Sequence, residues 1–441
     1  MAFEHTGLIE VRYADRTVGA LVPDRGTTAF QYDTTWRRTG LELAPFALPL
    51  EDGARVHSFP RLNPETFHNL PPTFADSLPD RFGNALIDSW MARQGVGPDD
   101  ITPLDRLAYV DGRAMGALEY VPDRGPGIPP PTILDLSELT VAAREAVAGV
   151  LDERDDAETT HALQSILQVG TSAGGARPKA VLNIVDATGE FRSGARPPLL
   201  GESAWLLKFD GVTTERTLAT TQQYTRLEYA YALMAQAAGI RMSECRLVHE
   251  GGRAHFLTRR FDRPTPGEGM PAKVHMTTLC GLRALDNDAI GVHDYADLFT
   301  TIRDLALGEE ALVEAFRRMA FNVAAVNHDD HTKNHAFLMD ATGQWSLAPA
   351  YDVSYSNNPA HPYMRQHCMG VDGEFLAITP DRQLALAERF GIPYAKRVLQ
   401  EVRDVVDSWP EFAALAEVPD DQVRRVQAAL DTFGHGEPVT V

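Results

Sequence analysis

The sequence predicts an α+β fold in which a small β-rich N-terminal subdomain precedes a larger domain of two lobes, the second of them helical. Three observations carry that reading. Residues 8–13, 17–22 and 29–32 alternate apolar and polar side chains at the two-residue period of strands. Further along, Leu312, Ala315, Phe316, Met319, Ala320, Val323 and Ala324 recur near every 3.6 residues, the mark of a helix with one buried face. Between these regions, residues 122–131 pack five prolines and two glycines into ten positions, a stiff linker at which a boundary falls. The expected division is residues 1–125, 126–265 and 266–441.

Composition bounds the possibilities. With 441 residues and 44% hydrophobic content, the chain can bury one large or two medium cores, and two to three units is the natural expectation. Lys plus Arg number 41 against 61 for Asp plus Glu, a formal charge of −20. A chain this acidic should not hold a phosphate backbone by itself, so any nucleic-acid role would need a basic partner or a local basic patch. Cys245, Cys280 and Cys368 are odd in number and far apart, with neither zinc spacing nor a disulfide framework. Neither a signal peptide nor an apolar run of membrane-spanning length is present, and the chain reads as soluble and cytoplasmic.

Taken in order, the three N-terminal strands lead to a Pro-punctuated entry at residues 70–80 and a helix over 81–94, with Leu86, Ile87 and Trp90 on one side. Residues 113–121 read as a strand closing the subdomain. A helix from 137 to about 150 follows the linker. Next comes the Gly-rich run 169–179, V-G-T-S-A-G-G-A-R-P-K, ahead of the strand 180–185. Its glycines let backbone amides approach an anion, and Lys179 adds a point charge. It is not a Walker A loop, because Ala176 follows Gly175 where that motif requires Lys. A plain hairpin turn is the other reading of such a run. Residues 203–209, S-A-W-L-L-K-F, form a hydrophobic strand carrying one cation, Lys208. A lone Lys near a strand end ordinarily points to solvent; beside a Gly-rich loop, the same residue is how nucleotide kinases hold the α and β phosphates. The helix over 224–238, stopped by Gly239, offers Glu228 as a partner for Lys208. The strand running into the charged cluster 255–263, H-F-L-T-R-R-F-D-R, is either a connection between lobes or a loop pairing with itself.

Chemistry concentrates at residues 327–335, N-H-D-D-H-T-K-N-H. This run is too polar for a core, yet apolar segments flank it on both sides, so a helix ends and a strand begins around a gripped polar turn. Asp329 and Asn334 stand at the spacing of a kinase catalytic loop, where the Asp takes the proton of the attacking hydroxyl and the Asn holds magnesium. The hairpin of 335–339 and 345–347 then leads to Asp352, just past a strand, where a kinase keeps its second metal-binding Asp. Three or four helices follow from residue 380.

Together these segments resemble the HipA family of Ser/Thr kinases, toxins of bacterial type II toxin-antitoxin modules. The resemblance rests on residues 170–179, 205–209, Arg260-Phe261-Asp262-Arg263, Asp329-Asp330-His331-Thr332-Lys333-Asn334 and Pro349-Ala350-Tyr351-Asp352, which stand in the family's order and approximate spacing. Residues 70–74, 78–81 and 112–118 resemble its N-terminal domain. What this implies is a protein-kinase-like two-lobed domain and a non-specific serine/threonine protein kinase using ATP and Mg2+. Asp329 would be the catalytic base, and Asn334 and Asp352 would hold the metal. The run Ala173, Gly174, Gly175, Ala176, Arg177, Pro178 and Lys179 would lie on ATP together with Lys208. His331 and Lys333 would line the nucleotide or the turn, and Arg259, Arg260 and Phe261 would present backbone groups to adenine. Ser172 matches the serine such kinases phosphorylate on themselves to switch off, with Thr171 beside it. The implied partners are a HipB-like DNA-binding antitoxin, through which any nucleic-acid contact runs, and a protein substrate such as an aminoacyl-tRNA synthetase of the glutamate-tRNA ligase type. Two positions depart from the pattern: Asp330 stands where a glycine is found, adding charge beside the metal, and Arg259 replaces an acidic hinge residue.

Two other readings fit parts of the sequence. The His328-Asp329 dipeptide, with Asp330, His331 and His335, suits a metal-dependent HD-type phosphohydrolase. A non-catalytic antitoxin-binding corepressor would need no intact site, although Lys208, Asp329, Asn334 and Asp352 are all present.

Overall fold

The computed structural model describes residues 3–79, 81–127, 133–148, 177–212, 224–267, 271–361 and 363–434. Its N-terminal sheet is four antiparallel strands in the order β3-β2-β1-β4, formed by β1 (Ile9–Tyr13), β2 (Arg16–Asp24), β3 (Thr27–Tyr32) and β4 (Leu118–Val121). The alternating residues of β1 put Ile9, Val11 and Tyr13 on the buried face, against Phe30, Trp36, Phe74 and Tyr120. Sequence reading started the closing strand at residue 113; it starts at Leu118. Residues 114–116 are drawn off the ladder because their backbone groups bond to side chains elsewhere: Arg263 donates to the carbonyls of Ala114 and Gly116, and Asp262 accepts from the Gly116 amide at 2.7 Å. Gly116 also turns at φ +81°, a conformation that suits glycine.

A second antiparallel sheet of five strands runs β6-β5-β7-β9-β8, with β5 (Lys179–Val185), β6 (Phe191–Ser193), β7 (Glu202–Lys208), β8 (Cys245–Glu250) and β9 (Arg253–Arg259). One face is covered by the helices Arg81–Ala92 and Leu136–Ala148. Phe82, Leu86, Ile87, Leu139 and Ala142 pack in one core with Ala180, Leu182, Trp205, Leu207 and Leu257. The helix Arg81–Ala92 precedes β4 in sequence yet belongs to this core, so the chain visits the second sheet before finishing the first.

The helical lobe follows. Tyr295–Asp304 and Gly308–Ala324 pack with Pro380–Arg389, Ala395–Val406, Trp409–Leu415 and Asp420–Phe433 around Phe299, Phe316, Met319, Phe321 and Trp409. Asp294 opens the first of these helices with a capping box to Asp297. The helix Tyr224–Ala237 joins the lobes, since Tyr229 faces Phe256 of β9 while Tyr231 lies 5.5 Å from the Trp409 ring. A small sheet, β10 (His275–Thr278), β11 (Ala336–Met339) and β12 (Trp345–Leu347), lies beside the polar turn. Among the described residues no helix is long and apolar enough to cross a membrane.

Candidate active site

In β5 and β7, Lys179 and Lys208 pair directly opposite each other, an arrangement that like charges disfavour. Anions resolve the conflict. The Lys208 ammonium lies 2.5 Å from Glu228 Oε1 and 2.5 Å from Asp352 Oδ1. Lys208 and Glu228 are almost wholly buried, and Asp352 is 27% exposed. Burial opposes the Lys208 charge, but Asp352 and Glu228 outweigh it and raise the ammonium above its ordinary range. Burial also opposes the Asp352 charge; Lys208, then Lys179, overcomes it and takes that carboxyl below the usual range. Glu228 moves the other way, pushed up by burial more than Lys208 pulls it down. A charged Lys208 and an ionised Asp352 are therefore the resident pair.

Backbone strain aims this pair. Asp352 sits at φ +55°, outside the regions L-residues prefer, just past the strand that delivers it. Val326, one residue before the polar turn, adopts φ +53°, a true outlier for a β-branched residue. It turns the chain out of the helix Gly308–Ala324. In the turn itself, Asn334 Nδ2 donates to the Asp329 carbonyl at 2.6 Å, which leaves Asn334 Oδ1 as the atom able to meet a cation. Asn334 and Asp352 line one cavity with Asn327, Asp330 and His335. The Asp329 carboxylate is 48% exposed, with His331 Nε2 3.7 Å away. Asn334 and Asp352 thus offer oxygen donors to one cavity, the Lys208 ammonium bonds to Asp352, and the open acid Asp329 is tied to Asn334 through its carbonyl.

Other predicted residues fall elsewhere. Thr171, Ser172, Ala173, Gly174, Gly175 and Ala176 lie outside the described residues. Arg177 stacks over the Tyr224 ring at 4.2 Å and lowers Asp352 through its charge, and the Pro178 carbonyl accepts from Phe209. The Arg259 and Arg260 amides donate within the sheet, to the Glu244 and Ala204 carbonyls, so neither is offered to a base. The Arg260 side chain is buried on Asp262 at 2.8 Å. Phe261 rests 5.8 Å from the Tyr351 ring. The charge of Lys333 acts on buried Asp76 and on His68 of the N-terminal region, and its carbonyl accepts from Tyr351. Asp330 lines the cavity with Asn334 and Asp352, and all its acceptor positions are used inside the protein. Tyr295 and His367 bond one oxygen and the amides of Cys368 and Met369 the other. No local pattern could have revealed these partners, which are 35 or more residues away.

The ligands of a phosphohydrolase are not assembled. His328 turns Nδ1 to the Met364 carbonyl at 2.9 Å, and among the described residues no three His, Cys, Asp or Glu side chains gather as a metal group. Asn334 and Asp352 fit a hard dication better, being oxygen donors that leave room for water and phosphate oxygens.

A strand-borne Lys paired to a helix-borne Glu, with an Asp-x4-Asn turn below, defines the class: a kinase-like two-lobed domain behind a β-rich N-terminal region. Residues 9–121 match the HipA N-terminal domain, and residues 171–409 match the HipA-like C-terminal domain. The chain belongs to the HipA family. Among solved structures it is similar to the HipA of Shewanella oneidensis MR-1, described in complex with HipB and its operator DNA. That likeness has 18% identity, spans 97% of this chain and 96% of that one, and has a TM-score of 0.62. A second similar structure is the Helicobacter pylori proinflammatory kinase CtkA, 10% identical over 51% of this chain and 92% of its own, with a TM-score of 0.30. No curated protein matches the chain by sequence.

Proposed function

We propose that this chain is an ATP- and magnesium-dependent serine/threonine protein kinase, acting as the HipA-like toxin of a type II toxin-antitoxin module. The observation that carries this is the Lys208 ammonium held 2.5 Å from both Glu228 and Asp352, beside the cavity that Asn334 shares. Phosphoryl transfer asks a protein for positioning and charge compensation more than for covalent chemistry. Lys208, fixed by Glu228, meets the α and β phosphates of ATP. Asn334 and Asp352 hold magnesium, which when bound neutralises phosphate charge. Asp329 takes the proton of the incoming hydroxyl from its open side of the turn. Residues 126–265 and 266–441 serve as the two lobes, with residues 1–125 as the appended N-terminal unit.

The family resemblance and the acidic charge support the rest of the reading. Phosphorylation of Ser172, with Thr171 as the lesser site, switches the kinase off. A HipB-like antitoxin carries the contact with DNA; the Shewanella structure is a complex of HipA, HipB and operator DNA. The target is a cytoplasmic translation protein of the aminoacyl-tRNA synthetase kind. The test is to incubate the protein with γ-labelled ATP and magnesium and map the label by mass spectrometry. Label on Ser172 is expected. Release of free phosphate under zinc or manganese, with no labelled protein, would favour the phosphohydrolase instead.

A further inference from the structure

We infer that Asp330 is a positioning residue for Asp329, holding the polar turn against the segment 367–369. This rests on the kinase reading, in which Asp329 is the base. Asp330 is buried, directly follows Asp329, and accepts hydrogen bonds from two parts of the chain. Tyr295 Oη, at the start of a helix, donates to its Oδ2 at 2.8 Å, and His367 Nδ1 lies 3.0 Å from the same oxygen. The Cys368 and Met369 amides donate to Oδ1 at 2.8 and 3.2 Å. Behind Tyr295 the net continues: Asn322 Nδ2 donates to Tyr295 Oη, and Asn327 Nδ2 donates to Asn322 Oδ1. The helices Tyr295–Asp304 and Gly308–Ala324, the turn and the 367–369 segment thus meet on one carboxylate.

Asp329 itself has little to fix it. Its side chain is half exposed, with His331 Nε2 3.7 Å away, so its aim is inherited largely from the backbone on either side. On the N-terminal side the His328 carbonyl takes the Cys368 amide at 3.0 Å, and on the C-terminal side Asn334 Nδ2 meets the Asp329 carbonyl. Asp330, next along, ties that C-terminal side to residues 367–369, and its loss would leave the Met369 amide unpaired, while the Cys368 amide keeps the His328 carbonyl at 3.0 Å. Misplacement of a reacting group by about 1 Å costs on the order of 100-fold in rate, and neither Lys208 nor Asp352 is a partner in the hydrogen bonds just described. Asp330 therefore acts on turnover more than on ATP affinity.

The test measures kcat and the KM for ATP in full-length wild type, Asp330→Ala, Asp330→Asn and Tyr295→Phe, with thermal unfolding of each. Asp330→Ala is expected to lose at least about tenfold in kcat with the KM for ATP within about twofold. Asp330→Asn should recover most of that loss, since its oxygen can still take the Cys368 and Met369 amides while its NH2 faces Tyr295 Oη and a His367 nitrogen. Tyr295→Phe should fall between the two. If Asp330→Ala does not fold, the Asn and Phe variants decide. Wild-type kcat in a folded Asp330→Ala, or in Tyr295→Phe, overturns the inference alone. So does a loss that tracks ATP affinity. A wild-type protein that transfers no phosphate overturns the kinase reading and this inference with it.

Discussion

Lys208 is held between two carboxylates in a site from which water is largely excluded, so its position depends on both. Glu228→Gln keeps the shape of one partner and removes its charge, and Lys208 should then settle on Asp352 and compete with the metal. The expected outcome is a rise in the magnesium concentration needed for half-maximal transfer, with kcat reduced on the order of tenfold or more, as kinases require this pair in place. An unchanged magnesium dependence would separate Glu228 from the site. Asp329→Asn removes the proposed base while leaving the Asn334 contact to its backbone carbonyl intact. Transfer should fall on the order of 100-fold or more with ATP binding preserved, measured by single-turnover labelling beside nucleotide titration. These residues were legible because each sits in a short, ordered pattern: a Lys ending a strand, an acid one turn into a helix, an Asp-x4-Asn turn. The partners of Asp330 were not legible, since they come from Tyr295 and from residues 367–369, and no spacing rule links them.

At the scale of elements, the charged cluster after β9 proves to be a joint. Asp262 takes Arg260 at 2.8 Å and Arg263 at 2.7 Å, and the two guanidiniums reach back to residues 114–116 near β4. Burial and the neighbouring Arg260 depress Arg263 to about 9, and burial would likewise neutralise Asp262 but for the two arginines. Asp262→Ala would leave two buried cations facing each other, a loss of about 3–5 kcal/mol by the usual cost of breaking such a pair. Denaturant unfolding should show it, and a midpoint within error of wild type would contradict the role assigned to this joint. The cluster pairs with itself, and its further ties run to residues 114–116. Its tie to residues 114–116 lies almost 150 positions away and leaves no local trace. The helix Arg81–Ala92 was legible as a helix from its apolar face. Its seat on the second sheet was not, because periodicity tells which face is buried but not against what.

Over the whole molecule, acid stability follows from buried imidazoles. His275 is fully buried, with Nε2 2.9 Å from the Leu43 carbonyl, and burial lowers it to about 4; burial, then the adjacent His367, does the same to His328. An unfolded chain titrates its histidines near 6.5, so it binds more protons than the folded one as the pH falls. The stability these two residues contribute is present in full above pH about 6.5 and is lost as the pH falls toward 4, at up to about 1.4 kcal/mol per unit for each. His275→Gln should flatten that slope in chemical denaturation at pH 5, 6 and 7. An identical slope would show that His275 is not among the groups responsible.

The account as a whole turns on one arrangement, in which Lys208, Asp352 and Asn334 receive a nucleotide triphosphate above the open carboxylate of Asp329. The most direct measurement is transfer of label from γ-labelled ATP to protein, run side by side in wild type, Lys208→Met and Asp352→Ala with and without magnesium. Labelled wild-type protein only when magnesium is added, with none in either variant, is the predicted result. Equal labelling of wild type and Lys208→Met would contradict it.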